Sequence, residues 1–132
     1  MRHSGRQWLM AAEAAAEIAR ARLALSLAPF QRIAARASLP PANAAPCSDT
    51  RERVRWAVLV AAKRIPWGPK CFEQGLAAQA MLRRRGVPAQ LHYGVRKEPS
   101  GELKAHVWVT ALDRPVVGCE EVHTWTELTR WP

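Results

Sequence analysis

The apolar pattern of this chain changes its period once, at Gly86. Before Gly86, apolar side chains recur at steps of three and four residues, which is the spacing that gives a helix one apolar face. After it, residues 87–96 and 103–112 have the composition of strands, and a loop at residues 99–101 separates them. Helices followed by neighbouring strands predict an α+β fold with a small antiparallel sheet.

The first predicted helix spans residues 8–27 and is rich in alanine. Pro29 ends it, because a proline ring fixes φ and lacks the N–H that a continuing helix needs. A short helical piece over residues 30–37 follows, with Phe30 and Ile33 directed inward and Arg32 directed to solvent. The predicted buried face of the first helix consists of Trp8, Ala12, Ala16, Ala19, Leu23 and Leu27.

A second long helix is predicted over residues 50–63, after a proline-rich connection that ends at residue 48. Asp49 and Glu52 have the spacing of a capping box, which satisfies free N–H groups at a helix start. Residues 1–48 are interpreted as a helical arm packed on a core over residues 49–132, within a single domain. The predicted buried face of this helix consists of Val54, Ala57, Val58, Ala61 and Ile65.

Length and composition restrict the classes of protein that remain. A chain of 132 residues builds one domain with a hydrophobic core, but not two of ordinary size. Its net charge of +9 at pH 7 favours anionic partners without choosing among them. The three cysteines include no CxxC pair, which is typical of a reducing compartment and predicts a cytoplasmic protein. Charged residues interrupt the apolar N-terminal stretch, so no transmembrane segment is predicted.

Cys71 lies at the start of the last helix before the strands. The run from Pro66 to Pro69 ends the preceding helix, and Pro69 suits the first turn of the next one. A helix start carries unpaired N–H groups and a partial positive charge, which stabilise a thiolate and lower the pKa of a cysteine. Cys71 is therefore a candidate nucleophile, although a buried, inert thiol is the commoner role of a cysteine taken alone.

His106 is the candidate base for that thiol. Within residues 103–112, alternation puts His106 and Trp108 on one face of the strand and Val107 and Val109 on the other, apolar face. An imidazole within reach of the thiol accepts its proton and returns it to a leaving amine. Together the two residues predict nucleophilic catalysis by a cysteine.

The segments around both residues resemble a known family. Residues 66–89 read PWGPKCFEQGLAAQAMLRRRGVPA, and residues 105–109 read AHVWV after YGVR at 93–96. These segments are similar to the small transglutaminase-like leader peptidases of lasso-peptide biosynthesis, the stand-alone B-type maturation proteases. The similarity extends from Arg64 to about Trp131.

The resemblance implies a papain-like or transglutaminase-like core, in which a helix with the nucleophile packs on an antiparallel sheet with the histidine. It implies a cysteine peptidase that removes the leader from a ribosomally made precursor and frees the amine for macrolactam closure. The implied partners are the precursor peptide, a separate leader-recognition protein and an ATP-dependent cyclase. No recognition domain is expected before residue 64, and no cofactor, metal ion or nucleic acid is implied.

The third catalytic residue is expected to be an acid, and two regions of the chain compete for it. For an antiparallel hairpin that turns at Asp113, His106 faces a residue near position 120, which favours Glu120, or Glu121 after a shift of one residue. Asp113 lies about 20 Å from His106 along such a strand, at about 3.3 Å per residue. An irregular turn, or a second strand that begins later, would reverse this ranking.

Trp67 and Trp108 are candidates for substrate contact. Trp67 precedes the candidate nucleophile by four residues. It either lines the cleft, offers its indole N–H as a donor, or only covers the core. Trp108 shares its strand face with His106, which places it beside the predicted site.

Three other interpretations remain open at this point. The arginines at residues 83–85 would suit a non-catalytic basic module that binds nucleic-acid phosphates, but no nucleic-acid motif accompanies them. The chain would alternatively keep the family fold as an inactive scaffold for the precursor and its partner proteins. Cys119 and His123 have the spacing of half a zinc site, which Cys47 or His92 would have to complete.

Overall fold

The computed structural model describes residues 5–30, 32–33 and 48–131. Its helices are α1 (Gly5–Leu27), α2 (Ser48–Arg64) and α3 (Cys71–Arg84). The strands are β1 (Ala89–Lys97), β2 (Leu103–Ala111), β3 (Arg114–Val117) and β4 (Thr126–Trp131), with a 3-10 turn at Val122–Thr124. All strand pairs are antiparallel and follow the helices along the chain, so the predicted α+β class is confirmed.

The sheet has the strand order β3-β2-β1-β4. The β1–β2 hairpin joins the two segments in which strands are predicted, and it pairs Ala89 with Ala111 and Lys97 with Leu103. β4 pairs with the other edge of β1, and its register shifts between Tyr93 and Gly94. Its side chains are almost all exposed, so it lacks the apolar alternation that predicts a strand, and the sequence does not predict it.

The predicted apolar face of α2 is confirmed, since Val54, Ala57 and Val58 are fully buried. The helix begins at Ser48 rather than after Asp49. Asp49 therefore lies in the first turn, where a carboxylate still interacts favourably with the positive end of the helix dipole.

The helix predicted near the N-terminus is present as α1, but the face predicted to be buried is wrong. All six residues of the predicted face are exposed: Trp8, Ala12, Ala16, Ala19, Leu23 and Leu27. The buried residues of α1 are Ala11, Ala14, Glu17, Ile18 and Ala21. Two physical reasons account for the difference. Small side chains let α1 lie close to α2 and α3, and its carboxylates must face the arginines that neutralise them.

Those arginines are Arg84 and Arg85, at the C-terminal end of α3, and they form ion pairs with carboxylates of α1. Arg84 lies 3.2 Å from a carboxylate oxygen of Glu13 and 3.2 Å from one of Glu17. Arg85 donates from two nitrogens to the Glu13 carboxylate, and this hydrogen bonding holds the pKa of Glu13 below its ordinary value. Two arginines of the basic run, Arg84 and Arg85, are thus paired with carboxylates inside the domain.

Part of the predicted short helix after α1 is also described. Phe30 packs inward as predicted, with its ring centroid 4.8 Å from that of Phe72 and 5.5 Å from that of Trp131. Ile33 packs against the same core, and Arg32 is exposed, as predicted. The proline-rich connection and the rest of the short helix lie outside the described residues.

Helix α3 packs against the sheet at Gly75, in the second turn of the helix. A Cβ atom built on Gly75 would lie 2.9 Å from Cγ1 of Val107 and 3.2 Å from Cδ1 of Leu91. Carbon atoms pack at about 3.5–4.0 Å, so only a glycine fits here without displacement of a neighbour. The absence of a side chain lets the helix backbone approach β2, and the first turn of α3 reaches the strand as a result.

We expect Gly75→Val to lower the free energy of unfolding by about 1–3 kcal/mol, the usual cost of overpacking a filled core. Urea unfolding at pH 7 measures the change. Gly5→Val is the matched control, because a Cβ at Gly5 would have no heavy atom within 4 Å. Equal stability of the two variants would contradict the close approach of α3 to β2.

Candidate functional site

Cys71 is the first residue of α3, the position that the sequence predicts. Lys70 precedes it as the N-cap residue, with an extended backbone and no capping hydrogen bond from its side chain. The N–H of Gln74 donates to the Lys70 carbonyl, whereas the N–H groups of the first turn have no carbonyl partner within the helix. Two of them, those of Cys71 and Phe72, interact with the thiol.

The thiol of Cys71 also interacts with the backbone N–H of Val107 in β2. This N–H belongs to the peptide bond that joins His106 to Val107. In an antiparallel strand, the N–H and C=O of one residue point to the same side, and the Val107 carbonyl faces Gly118. The thiol therefore lies at the edge of β2, just past the end of β3.

Burial raises the pKa of the Cys71 thiol above its ordinary value. The N–H groups of Val107 and of the first helical turn act in the opposite direction, as does the charge of Lys70, but burial is the largest influence. The expectation that the helix start gives this cysteine a lowered pKa is therefore wrong for the resting protein. The reason is that a thiolate loses more hydration in this site than the nearby dipoles replace. At pH 7 the thiol is neutral and needs a base.

His106 lies on the opposite face of β2 from Val107, as strand alternation predicts. Its Nε2 is 2.7 Å from the carbonyl oxygen of Gly118. A carbonyl oxygen only accepts hydrogen bonds, so Nε2 donates and carries the hydrogen. In the neutral ring, Nδ1 is then the acceptor. Within the described parts of the chain, no hydrogen bond joins His106 to Cys71. Cys71 interacts with the N–H of Val107, and His106 is hydrogen-bonded to the carbonyl of Gly118, which lies beside Val107.

The ring of His106 stacks with two tryptophans. Its centroid lies 4.8 Å from that of Trp125 and 6.0 Å from that of Trp108, with nearly parallel planes in both pairs. The guanidinium of Arg96 lies 4.2 Å from the centroid of Trp125. Trp125 and Gly118 are missing from the predicted site, because the sequence carries no signal that returns either residue to β2.

Trp108 also stacks with His92, at 5.3 Å between centroids. His92 is buried and uses both ring nitrogens: Nδ1 pairs with Glu127, and Nε2 lies 2.8 Å from Oγ1 of Thr110. Burial raises the pKa of Glu127, but hydrogen bonds from Arg130 and His92 outweigh it and lower the net value. Trp108 itself is only 5% exposed, so its ring contacts histidines rather than open solvent.

The structure gives Nε2 of His106 a partner other than the predicted acids. Among the residues described, no hydrogen bond joins this ring to Glu120, Glu121 or Asp113. The pair Val109 and Val117 has the predicted register, whereas the two pairs nearer the turn, Thr110 with Pro115 and Ala111 with Arg114, are shifted by one residue. β3 ends there, and Gly118 turns the chain in the left-handed region with φ of 72°. Glu120 therefore never reaches the strand position opposite His106, and its role as the acid stays a prediction.

Comparison with protein families agrees with this arrangement of a helix-borne cysteine on an antiparallel sheet. A model described as the transglutaminase-like superfamily matches residues 12–130. The chain belongs to this superfamily. The transglutaminase-like fold is associated with cysteine peptidase and transglutaminase activity. Neither the curated proteins nor the solved structures give a significant match.

In this transglutaminase-like domain, Trp67 lies beside the start of α3. Its indole N–H donates to a carboxylate oxygen of the buried Glu73 at 2.9 Å, and the guanidinium of Arg22 lies 5.0 Å from its ring centroid. The N–H is therefore engaged within the domain. The ring is 40% exposed, which leaves one part of the Trp67 prediction, contact with substrate through the ring, open.

The described residues also test the predicted alternatives of a zinc site and a basic nucleic-acid-binding module, and the expectation about a transmembrane segment. They contain no group of three or more potential metal ligands, and the Cys119 thiol instead approaches the Val109 carbonyl at 3.4 Å. Cys47 lies outside the described residues. Two of the three arginines at residues 83–85 form ion pairs with α1. No helix in the described ranges has the length and apolar content needed to cross a bilayer.

We expect the rate at which iodoacetamide alkylates Cys71 to keep rising above about pH 8.5, the pKa of a free cysteine. The thiolate is the reactive form, and burial raises the pKa of this thiol. Mass spectrometry of the alkylated peptides gives the rate for each cysteine. A rate for Cys71 that levels off below pH 8 would contradict the neutral resting thiol.

Lys70→Gln is expected to slow that alkylation at pH 8, because the Lys70 charge lowers the pKa of the thiol. The effect should be less than about tenfold, since the exposed charge is screened by water and salt. Lys63→Gln is the matched control, because Lys63 is an exposed lysine in the last turn of α2 and does not act on the pKa of the thiol. An equal effect of both substitutions would exclude a local action of Lys70.

Proposed function

We propose that this protein is a cysteine peptidase that removes the leader peptide from a ribosomally synthesised lasso precursor before the macrolactam ring is closed. Membership of the transglutaminase-like superfamily supports the peptidase chemistry. The sequence motifs around Cys71 and His106 support the lasso precursor as substrate. The observation that carries the proposal is that Cys71 is the first residue of α3, and that α3 packs at Gly75 against β2, the strand that holds His106.

The proposed reaction begins with proton transfer from the Cys71 thiol to Nδ1 of His106, the nitrogen that the Gly118 hydrogen bond leaves free. The sulfur attacks the carbonyl carbon at the leader junction, so a C–S bond forms and negative charge moves to the oxygen. The N–H of Cys71 at the start of α3 donates to that oxyanion. His106 then gives its proton to the departing amine as the C–N bond breaks, which leaves an acyl-enzyme.

Water completes the cycle. His106 removes a proton from the water molecule, whose oxygen adds to the thioester carbon, and the C–S bond breaks. The proton returns to sulfur. The products are a leader with a free carboxylate and a core peptide with a free N-terminal amine, which is the nucleophile that ring closure needs. A neutral thiol at rest fits this sequence, because the proton moves only when a substrate carbonyl is present.

The proposed partners follow from the substrate. A separate leader-recognition protein would hold the leader, and an ATP-dependent cyclase would use the freed amine. A non-catalytic basic module is a weaker alternative, because Arg84 and Arg85 are already neutralised by carboxylates of α1.

An inactive scaffold for the precursor and its partners is the second candidate function. Two observations favour it: burial raises the pKa of Cys71, and the partner of His106 is a neutral carbonyl rather than a carboxylate. A scaffold would bind the precursor and the partner proteins but would not change the mass of the precursor.

We expect Cys71→Ala and His106→Ala each to lower the rate of leader removal by at least about 100-fold, the usual contribution of such groups. A candidate precursor encoded nearby is incubated with the protein, with and without the leader-recognition protein, and the products are weighed by mass spectrometry. Cys119→Ala is the matched control, since its thiol is also partly buried but lies outside the proposed reaction. Cleavage retained by Cys71→Ala would remove this cysteine from the mechanism, and an unchanged precursor with the parent protein would favour the scaffold.

A further inference from the structure

We propose that the backbone carbonyl of Gly118 is the group that orients His106, in the place where related catalytic sets use a side-chain acid. This inference rests on the proposed function and deepens it. Gly118 is a positioning residue, because it acts on the imidazole and not on the substrate. The direct observation is the 2.7 Å hydrogen bond from Nε2 of His106 to the Gly118 oxygen.

That hydrogen bond selects one tautomer of the ring. Nε2 must carry the hydrogen, so Nδ1 of the neutral imidazole has a free lone pair. A base that takes a thiol proton needs such a lone pair. The Gly118 carbonyl therefore performs the two tasks of an orienting acid, since it fixes the direction of the ring and decides which nitrogen is basic.

Only glycine lets the carbonyl reach this place. Gly118 has φ of 72°, a left-handed conformation that side chains disfavour. A Cβ atom at this position would lie 2.6 Å from the Val107 carbonyl oxygen and 3.4 Å from Nε2 of His106 itself. Both the backbone angle and the contact distance would push a larger residue away from β2.

The segment after Gly118 is held by its own contacts, which leave the carbonyl available. The N–H of Val122 donates to the Cys119 carbonyl, and the N–H of Thr124 donates to the Glu121 carbonyl. The hydroxyl of Thr124 accepts a hydrogen bond from Arg96 at 3.0 Å. This turn places Trp125 on the ring of His106, so one short segment supplies both the orienting oxygen and a stacked tryptophan.

A carbonyl differs from a carboxylate in what it does to the charged ring. It carries no full charge, so it stabilises an imidazolium less than an ionised acid would. In the proposed reaction, His106 gains its proton from the Cys71 thiol during attack by sulfur. The neutral resting thiol of Cys71 agrees with such a pair.

Nitrogen NMR of the protein with ¹⁵N-labelled histidine tests the hydrogen bond without reference to activity. At pH 8, the His106 ring is expected in the Nε2–H form, both in the parent and in the triple variant Asp113→Asn, Glu120→Gln, Glu121→Gln. An Nδ1–H form in the parent would overturn the inference. So would a shift to that form in the triple variant, or a loss of kcat above about tenfold in Glu120→Gln alone, because either result would assign the orienting role to an acid.

Gly118→Ala tests the role in catalysis. It is expected to lower kcat for leader removal by at least about tenfold with little change in KM, since orientation matters in the transition state. Gly101→Ala is the matched control, because Gly101 also has a positive φ, of 90°, but no heavy atom would lie within 4 Å of its Cβ. An equal and small effect of both substitutions would overturn the inference.

A backbone ester provides a second test if Gly118→Ala does not fold. Replacing Cys119 with lactic acid turns the Gly118 carbonyl into an ester carbonyl, which is a weaker acceptor, and Cys119→Ala is its amide control. We expect a lower kcat and a mixed His106 tautomer in the ester alone. Full activity with an unchanged tautomer would overturn the role of Gly118 while Cys71→Ala stays inactive. Activity in Cys71→Ala would instead overturn the proposed function.

Discussion

The contact of Gly75 in α3 with Val107 in β2 is the constraint on which the rest of the site depends. A side chain at residue 75 would hold the helix away from the strand, because Val107 Cγ1 already lies 2.9 Å from the position of its Cβ. The approach brings the start of α3 to the edge of β2, where β3 has ended and the Val107 N–H can face the Cys71 thiol. One missing methyl group thus permits both the packing of the core and the position of the candidate nucleophile.

Two influences on the thiol oppose each other at this edge. Backbone N–H groups and Lys70 favour the thiolate, and removal of water disfavours it more strongly. The partner of the His106 ring is a neutral carbonyl, which supplies no full charge to offset this loss of hydration. Reactivity at this site would accordingly depend on what the substrate brings, rather than on a nucleophile that is ionised in advance.

Local patterns predict much of this fold, and long-range contacts account for what they miss. α2 and the β1–β2 hairpin follow from apolar periodicity, and the pair Val109 and Val117 follows from the hairpin rule. The buried face of α1 depends on arginines some 70 residues away in sequence, which no local period encodes. Gly118 and Trp125 join His106 for the same reason: a glycine ends β3, and a bulged edge strand returns the chain to the sheet.

The parallel rings on the outer face of the sheet come from widely separated parts of the chain, with Trp125 the last of them. During synthesis, His106 leaves the ribosome before the residue that covers it. Cys71 and His106 would therefore coexist for a time in a nascent chain whose imidazole is still free to rotate. The imidazole therefore gains its stacked neighbour Trp125 only after the segment between β3 and β4 has been made and has folded onto the sheet.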